Sequence, residues 1–170
     1  MSKGVAANGY VSQAELERSP GYPSQERLQQ GPVVVIECPQ EIPCNPCEEA
    51  CPYQAITVGE PITNCPQLHE EKCIGCGLCI SRCPGLAIFL VDMTYSNELA
   101  AVTFPHEYLP LPEVGQKVTA VNRAGEPACE GEVAKVVNAK ANDRTPVITV
   151  TVPREHAPTV RGLLRCGRQT

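Results

Sequence analysis

The stretch "CIGCGLCISRCP" (73–84) holds four cysteines within eleven residues, with a proline directly after the last. Packed cores do not use thiols at that density, so this segment must be organised around whatever its sulfurs hold. An irregular copy precedes it. "CNPCEEACPYQAITV" (44–58) aligns with "CGLCISRCPGLAIFL" (76–90), both reading C-x-x-C-x-x-x-C-P-x-x-A-I. Each copy reads as a cysteine loop, a short helix, Cys-Pro and then a strand. Two such halves related by a pseudo-twofold would form a compact α+β unit with the cysteines inside.

The chain has eleven cysteines, an odd number, and nine of them lie between residues 38 and 83. In a reducing compartment that density indicates metal binding rather than disulfides. Zinc sites present two separated C-x-x-C pairs, not three cysteines in a seven-residue loop followed by Cys-Pro. Soft anionic thiolates suit iron–sulfide clusters, and a C-x-x-C-x-x-C loop supplies three of the four donors of a cubane. Gly75 and Gly77 let the backbone pass close to such a cluster.

On these residues, 38–92 resembles the bacterial-type dicluster ferredoxins, which carry two 4Fe–4S clusters. The resemblance implies crossed ligation: Cys73, Cys76 and Cys79 with Cys51 at one cluster, Cys44 and Cys47 with Cys83 at the other. The first motif departs from the family, because the position aligned with Cys73 is Glu41. Cys38, which follows a strand, is the replacement we favour. Cys65, in the loop between the halves, and an incomplete three-iron cluster are the alternatives. Cys129 reads as a small strand hydrophobe and Cys166 as a tail thiol.

The surroundings of the two motifs differ. Glu37, Glu41, Glu48 and Glu49 flank the first, and Lys72 and Arg82 flank the second. Pro43 and Pro46 remove N–H donors from the first loop. Both differences disfavour the reduced, more anionic state there, so the Cys44/Cys47 cluster is expected to have the lower potential. A solvated face is the plainer reading of these charges.

Around this unit the chain reads as four segments. Residues 1–32 are an extension with one short helical stretch near 12–18, expected as a strap over the core or a partner. Residues 33–92, opening on the β-branched "PVVVIEC", are the dicluster ferredoxin-like domain. Residues 93–116 read as a Pro-rich connector. Residues 117–170 alternate polar and apolar residues in "KVTAVNRAG", "GEVAKVVNAK" and "TPVITVTVP", a small all-β domain expected to be barrel-like, with "LAAVTF" (99–104) as a candidate further strand.

The net charge of −5 argues against nucleic acid as a partner. The longest apolar runs, "VVVI" and "LAIFLV", are too short to span a bilayer, and no leader pattern is visible, so a cytoplasmic address is expected. No G-x-G-x-x-G or P-loop occurs, and His69, His106 and His156 lie apart. Arg123, Arg144, Arg154, Arg161, Arg165 and Arg168 make the far end more basic, expected as a solvated face or else a docking surface.

A chain with clusters and no substrate site moves electrons and is not itself catalytic. The whole pattern, with its small β domain, resembles the ferredoxin-like subunit of bacterial multisubunit FAD-dependent dehydrogenases of the proline/hydroxyproline type. That resemblance implies FAD-containing partner subunits in a hetero-oligomer and a relay from flavin through the clusters. A free diffusible ferredoxin and a structural iron–sulfur subunit of another oxidoreductase are the rival readings.

Overall fold

The computed structural model describes residues 4–165. Three one-turn helices come first: α1 (Val5–Asn8), α2 (Gln13–Leu16) and α3 (Gln25–Leu28). Each is too short to hold itself, so capping and tertiary contacts must do it. At α2, Ser12 and Glu15 form a reciprocal capping box, which leaves Leu16 fully buried. The extension lies on the core: Ile36 N–H donates to the Gly21 carbonyl at 2.9 Å and Leu68 N–H to the Pro20 carbonyl at 2.9 Å.

The cysteine-rich unit runs β1 (Val33–Ile36), α4 (Pro46–Glu49), β2 (Ile56–Thr57), β3 (Gln67–Leu68) and β4 (Ile88–Asp92). Strand β1 pairs antiparallel with β4, bringing Ile36 opposite Ile88. Strand β2 pairs antiparallel with β3, bringing Ile56 opposite Leu68. The first strand of the unit is thus matched to the strand after the second motif, and the strand after the first motif to the one before the second.

The remaining strands are β5 (Leu99–Pro105), β6 (Lys117–Val121), β7 (Pro127–Val137), β8 (Val147–Pro153) and β9 (Gly162–Leu163). They do not form a separate sheet. The order is β1-β4-β5-β8-β7-β6-β9, one seven-stranded sheet with every neighbour antiparallel. Strand β5 lies inside the stretch expected as connector and joins the cysteine-rich unit to the β region along two edges. A ferredoxin-like region and a β region are both present, but they share a sheet instead of being joined by a linker.

Register explains why the junction is tight. Val33, Val91, Val102, Val150 and Val133 stand opposite one another across β1, β4, β5, β8 and β7. All five are buried. β-Branched side chains suit this pleated surface, and each buried valine stabilises the fold by roughly 1.5–3 kcal/mol. The period-two pattern of "VITVTV" is realised in β8, where Ile148, Val150 and Val152 are buried and the residues between them are half-exposed. One hydrophobic cluster contains Val34 and Ile80 from the cysteine-rich unit together with Phe104 and Val160 from beyond it. Among the described residues no helix is long and apolar enough to cross a membrane.

Candidate iron–sulfur centres

The first group of thiols assembles where β1 ends. Cys38 follows that strand, Cys44 is held by an N–H bond to the Ile62 carbonyl at 3.3 Å, and Cys47 is buried on α4, whose Pro46 stands in the first turn. Cys83 arrives from the second motif. These four cysteines line one mainly apolar cavity with Ile36, Ile42 and Ile88. Burial pushes the Cys47 thiol up to about 11, with neighbouring Cys83 and Cys44 acting in the same direction. Cys38 is raised by burial and then by Cys83, Cys65 and Cys44. Cys65 is therefore close, but among the described residues it is Cys38, not Cys65, that lines the cavity. The Cys65 thiol is raised by burial and by Glu41.

The second group forms around the 73–79 loop. Cys79 is buried, and burial followed by Cys73, Cys76 and Cys51 pushes its thiol up to about 12. Gly75 and Gly77 both have φ near +70°, at 71° and 73°. At Gly75 a side chain is excluded twice over, since a Cβ would sit 2.7 Å from the Pro32 carbonyl oxygen. Cys76 is exposed at the tip of the loop, between Ile74 and Leu78, each 55% exposed.

The two Cys-Pro turns are built alike. Ala55 N–H donates to Cys51 Sγ at 3.2 Å, and Ala87 N–H donates to Cys83 Sγ at 3.4 Å. The residue before each alanine, Gln54 or Leu86, has a φ of 53°. The alanine shared by both motifs was visible in the sequence; the left-handed turn ahead of it was not, because neither Gln nor Leu favours it. Donation to sulfur stabilises thiolate charge, as a cluster ligand requires.

The donor chemistry suits iron–sulfide. Burial and neighbouring thiols oppose ionisation of Cys38 and Cys47 in the first group and of Cys79 in the second, so an added cationic centre would favour their thiolates. Among the described residues, no three His, Cys, Asp or Glu side chains form a group fit for a single metal ion. A cubane instead attaches each of its four cysteines to a different iron corner.

Charged groups close to the motifs differ from expectation. Glu37 is not a free anion beside the first motif. It receives Arg123 Nε at 2.8 Å, Arg123 Nη2 at 2.7 Å and Arg161 Nε at 2.6 Å. Burial pushes its carboxyl up, but the Arg123 hydrogen bond and the Arg161 and Arg123 charges outweigh that and hold it below its usual value. Arg161 is therefore buried and Arg123 mostly covered, with side-chain exposures of 4% and 11%, where a solvated face was expected. Arg161 also stacks on Phe89, and Arg165 stacks on Tyr108. Glu48 is turned to the Val58 and Gly59 N–H groups. His106 is buried and packs edge-on against Tyr108, and His69, just after β3, bonds Thr57 of β2. Cys129 lies on β7 against the core; Cys166 and Arg168 fall outside the described residues.

Residues 42–87 match the 4Fe-4S dicluster domain family. This segment is a dicluster ferredoxin unit. It carries two 4Fe–4S clusters. The match begins after Cys38, so the ferredoxin unit as the family defines it starts inside the first cysteine loop. Among curated proteins, the chain is 43% identical over 54 residues to the polyferredoxin-like subunit of an aliphatic sulfonate oxidoreductase from Pyrococcus furiosus, covering 32% of this chain and 28% of that one. It is 42% identical over 65 residues to an uncharacterised ferredoxin of Methanocaldococcus jannaschii, covering 38% and 37%. It is 40% identical over 45 residues to one subunit of the Na(+)-translocating ferredoxin:NAD(+) oxidoreductase complex of Acetobacterium woodii, covering 26% and 13%. The chain thus spans well under half the length of each of these relatives. No solved structure matches.

Proposed function

We propose that this chain is an electron-transfer subunit, not itself catalytic, of a larger oxidoreductase complex. The observation that carries the reading is the pair of thiol groups, each taking three cysteines from one region and one from the other motif. In this reading Cys38, Cys44, Cys47 and Cys83 hold the first cluster, and Cys73, Cys76, Cys79 and Cys51 hold the second, in a pseudo-twofold arrangement. Cys38 serves as the irregular fourth ligand because it lines the cavity and Cys65 does not. Relatives that are subunits of oxidoreductases support a hetero-oligomeric setting.

The donor we propose is a reduced flavin in a FAD-containing dehydrogenase subunit that oxidises an amino acid or amine. Held by these thiolates, the two clusters would supply one-electron acceptor sites, and the chain itself would make or break no bond. The chain's own residues would hold the thiolates, line the first site with Ile36, Ile42 and Ile88, and leave the second loop exposed at Cys76. The extension and β region supply surface for the larger partners, and the assembly is placed in the cytoplasm.

Anaerobic purification from the native host, with iron, sulfide and flavin assayed on the product, tests this. Flavin-bearing chains in fixed ratio support the subunit reading. A lone chain that keeps its iron and passes electrons to several acceptors favours a diffusible carrier.

A further inference from the structure

The N-terminal extension reaches the second cysteine loop through one side chain. Arg27, on α3, donates from Nε to the Glu70 carbonyl at 3.0 Å and from Nη1 to the Gly31 carbonyl at 3.1 Å. Its Nη2 donates to the Pro32 carbonyl at 3.1 Å and to the Cys73 carbonyl at 2.6 Å. All four acceptors are neutral. The nearby Glu70 carboxylate is engaged elsewhere, by Ser24 N–H at 2.6 Å and Ser24 Oγ at 2.8 Å. Among the described residues the ion pairs are Lys117–Glu132, Arg123–Glu37 and Arg161–Glu37, so Arg27 is hydrogen-bonded without forming an ion pair.

Two consequences follow for the loop. The first is position. Pro32, whose carbonyl Arg27 holds, is also the residue against which Gly75 packs, so one guanidinium ties down both Cys73 and the surface on which its loop rests. The second is charge. A half-buried cation bonded to the residue that carries a cluster thiolate favours the state with one more electron. Among the described residues the first motif shows no equivalent: Arg123 and Arg161 are bonded to Glu37, the residue before Cys38, which cancels one of their two charges.

The geometry points to Arg27 as a positioning residue that raises the reduction potential of the second cluster and makes it the better electron acceptor of the two. This rests on the proposed role of Cys73 as a ligand of that cluster. The extension is then part of the redox machinery, in addition to any grip it has on a partner.

The test is an anaerobic redox titration of the full chain, followed by electron paramagnetic resonance, for wild type, Arg27→Gln, Arg27→Lys and Cys73→Ser. Arg27→Gln should lower the reduced-to-oxidised ratio of one cluster roughly tenfold at fixed potential, about 59 mV for one electron. The other cluster should keep its midpoint. Arg27→Lys, which retains charge, should stay within about threefold of wild type on the same scale. No shift in iron-replete Arg27→Gln, an equal shift of both clusters, or a Lys variant that falls as far as the Gln variant overturns the inference. Should Arg27→Gln fail to retain iron at that site, the Lys variant decides by the same criterion. Cys73→Ser separates the two layers. If it leaves iron content and both signals unchanged, the ligand reading fails; if it alters one cluster that Arg27→Gln does not shift, the Arg27 inference fails alone.

Discussion

The two cysteine loops share one sequence pattern and differ in what surrounds them. The 73–79 loop is regular, turns on two glycines with positive φ, and presents an exposed Cys76 between exposed Ile74 and Leu78. The 38–47 loop is longer, is stiffened by Pro43 and Pro46, and takes its thiols into an apolar cavity. Each loop is approached by arginine from outside the ferredoxin unit. At the second, Arg27 bonds the backbone of Cys73 and has no ion-pair partner among the described residues; at the first, Arg123 and Arg161 are bonded to Glu37. Similar thiol patterns are therefore set in different electrostatic surroundings by the chain on either side of them.

The largest effect that would break this comparison is the crossing of ligands. Cys83→Ser, in the second motif, should remove the cluster of the first, taking total iron from about eight to about four per chain by chemical analysis. Loss of the other cluster's resonance instead would break the crossed assignment. Cys38→Ser should give the same iron loss and Cys65→Ser none; the reverse pattern makes Cys65 the ligand.

Next comes the backbone of the regular loop. Gly75→Ala adds the left-handed strain of about 1–2 kcal/mol to a clash with Pro32, so roughly 2–3 kcal/mol is expected in thermal or denaturant unfolding. Gly59→Ala, at a φ of 65° but with nothing within 4 Å, should lose about 1 kcal/mol. Equal losses would show that the Pro32 contact is immaterial.

A third test asks whether the loops share one scaffold. Val102→Ala should lower stability by about 2 kcal/mol. Both clusters should bleach together on heating, because this valine packs in the row that joins both halves. Sequential bleaching would show that the halves unfold independently.

The smallest effect concerns the order of potentials. The Cys44/Cys47 cluster should titrate below the other in a spectroscopically resolved titration, and Arg123→Gln should lower it further, by about threefold in reduced-to-oxidised ratio, since the surviving charges are shared with Glu37. A first cluster that titrates above the second refutes the ordering.

The sequence made the thiol spacing, the repeat and the period-two strands legible because each is local. "LAAVTF" was readable as a strand but not as the bridge between two regions, since β-branched composition names no pairing partner. Glu37 looked like a free anion because its partners lie 86 and 124 residues away. The same distance hid Arg123 and Arg161, which read as solvated charges until the fold enclosed them. Arg27 sat in a Pro- and Gly-punctuated extension with no sign of a target 46 residues on. What the sequence missed were contacts whose two ends carry no mutual signature.

The continuity of the sheet also sets how this molecule can be divided. Strand β4 is paired on both sides, with β1 through Val91 and with β5 through the same residue. A fragment ended at residue 92 would keep every cysteine between 38 and 83 and lose β5. The backbone donors and acceptors of β4 that bond β5 would then face water as a bare strand edge beside an apolar row, the arrangement that recruits foreign strands and drives aggregation. The β region is thus a guard rail for the ferredoxin unit, and a truncated version would be expected to precipitate while its thiols remained intact.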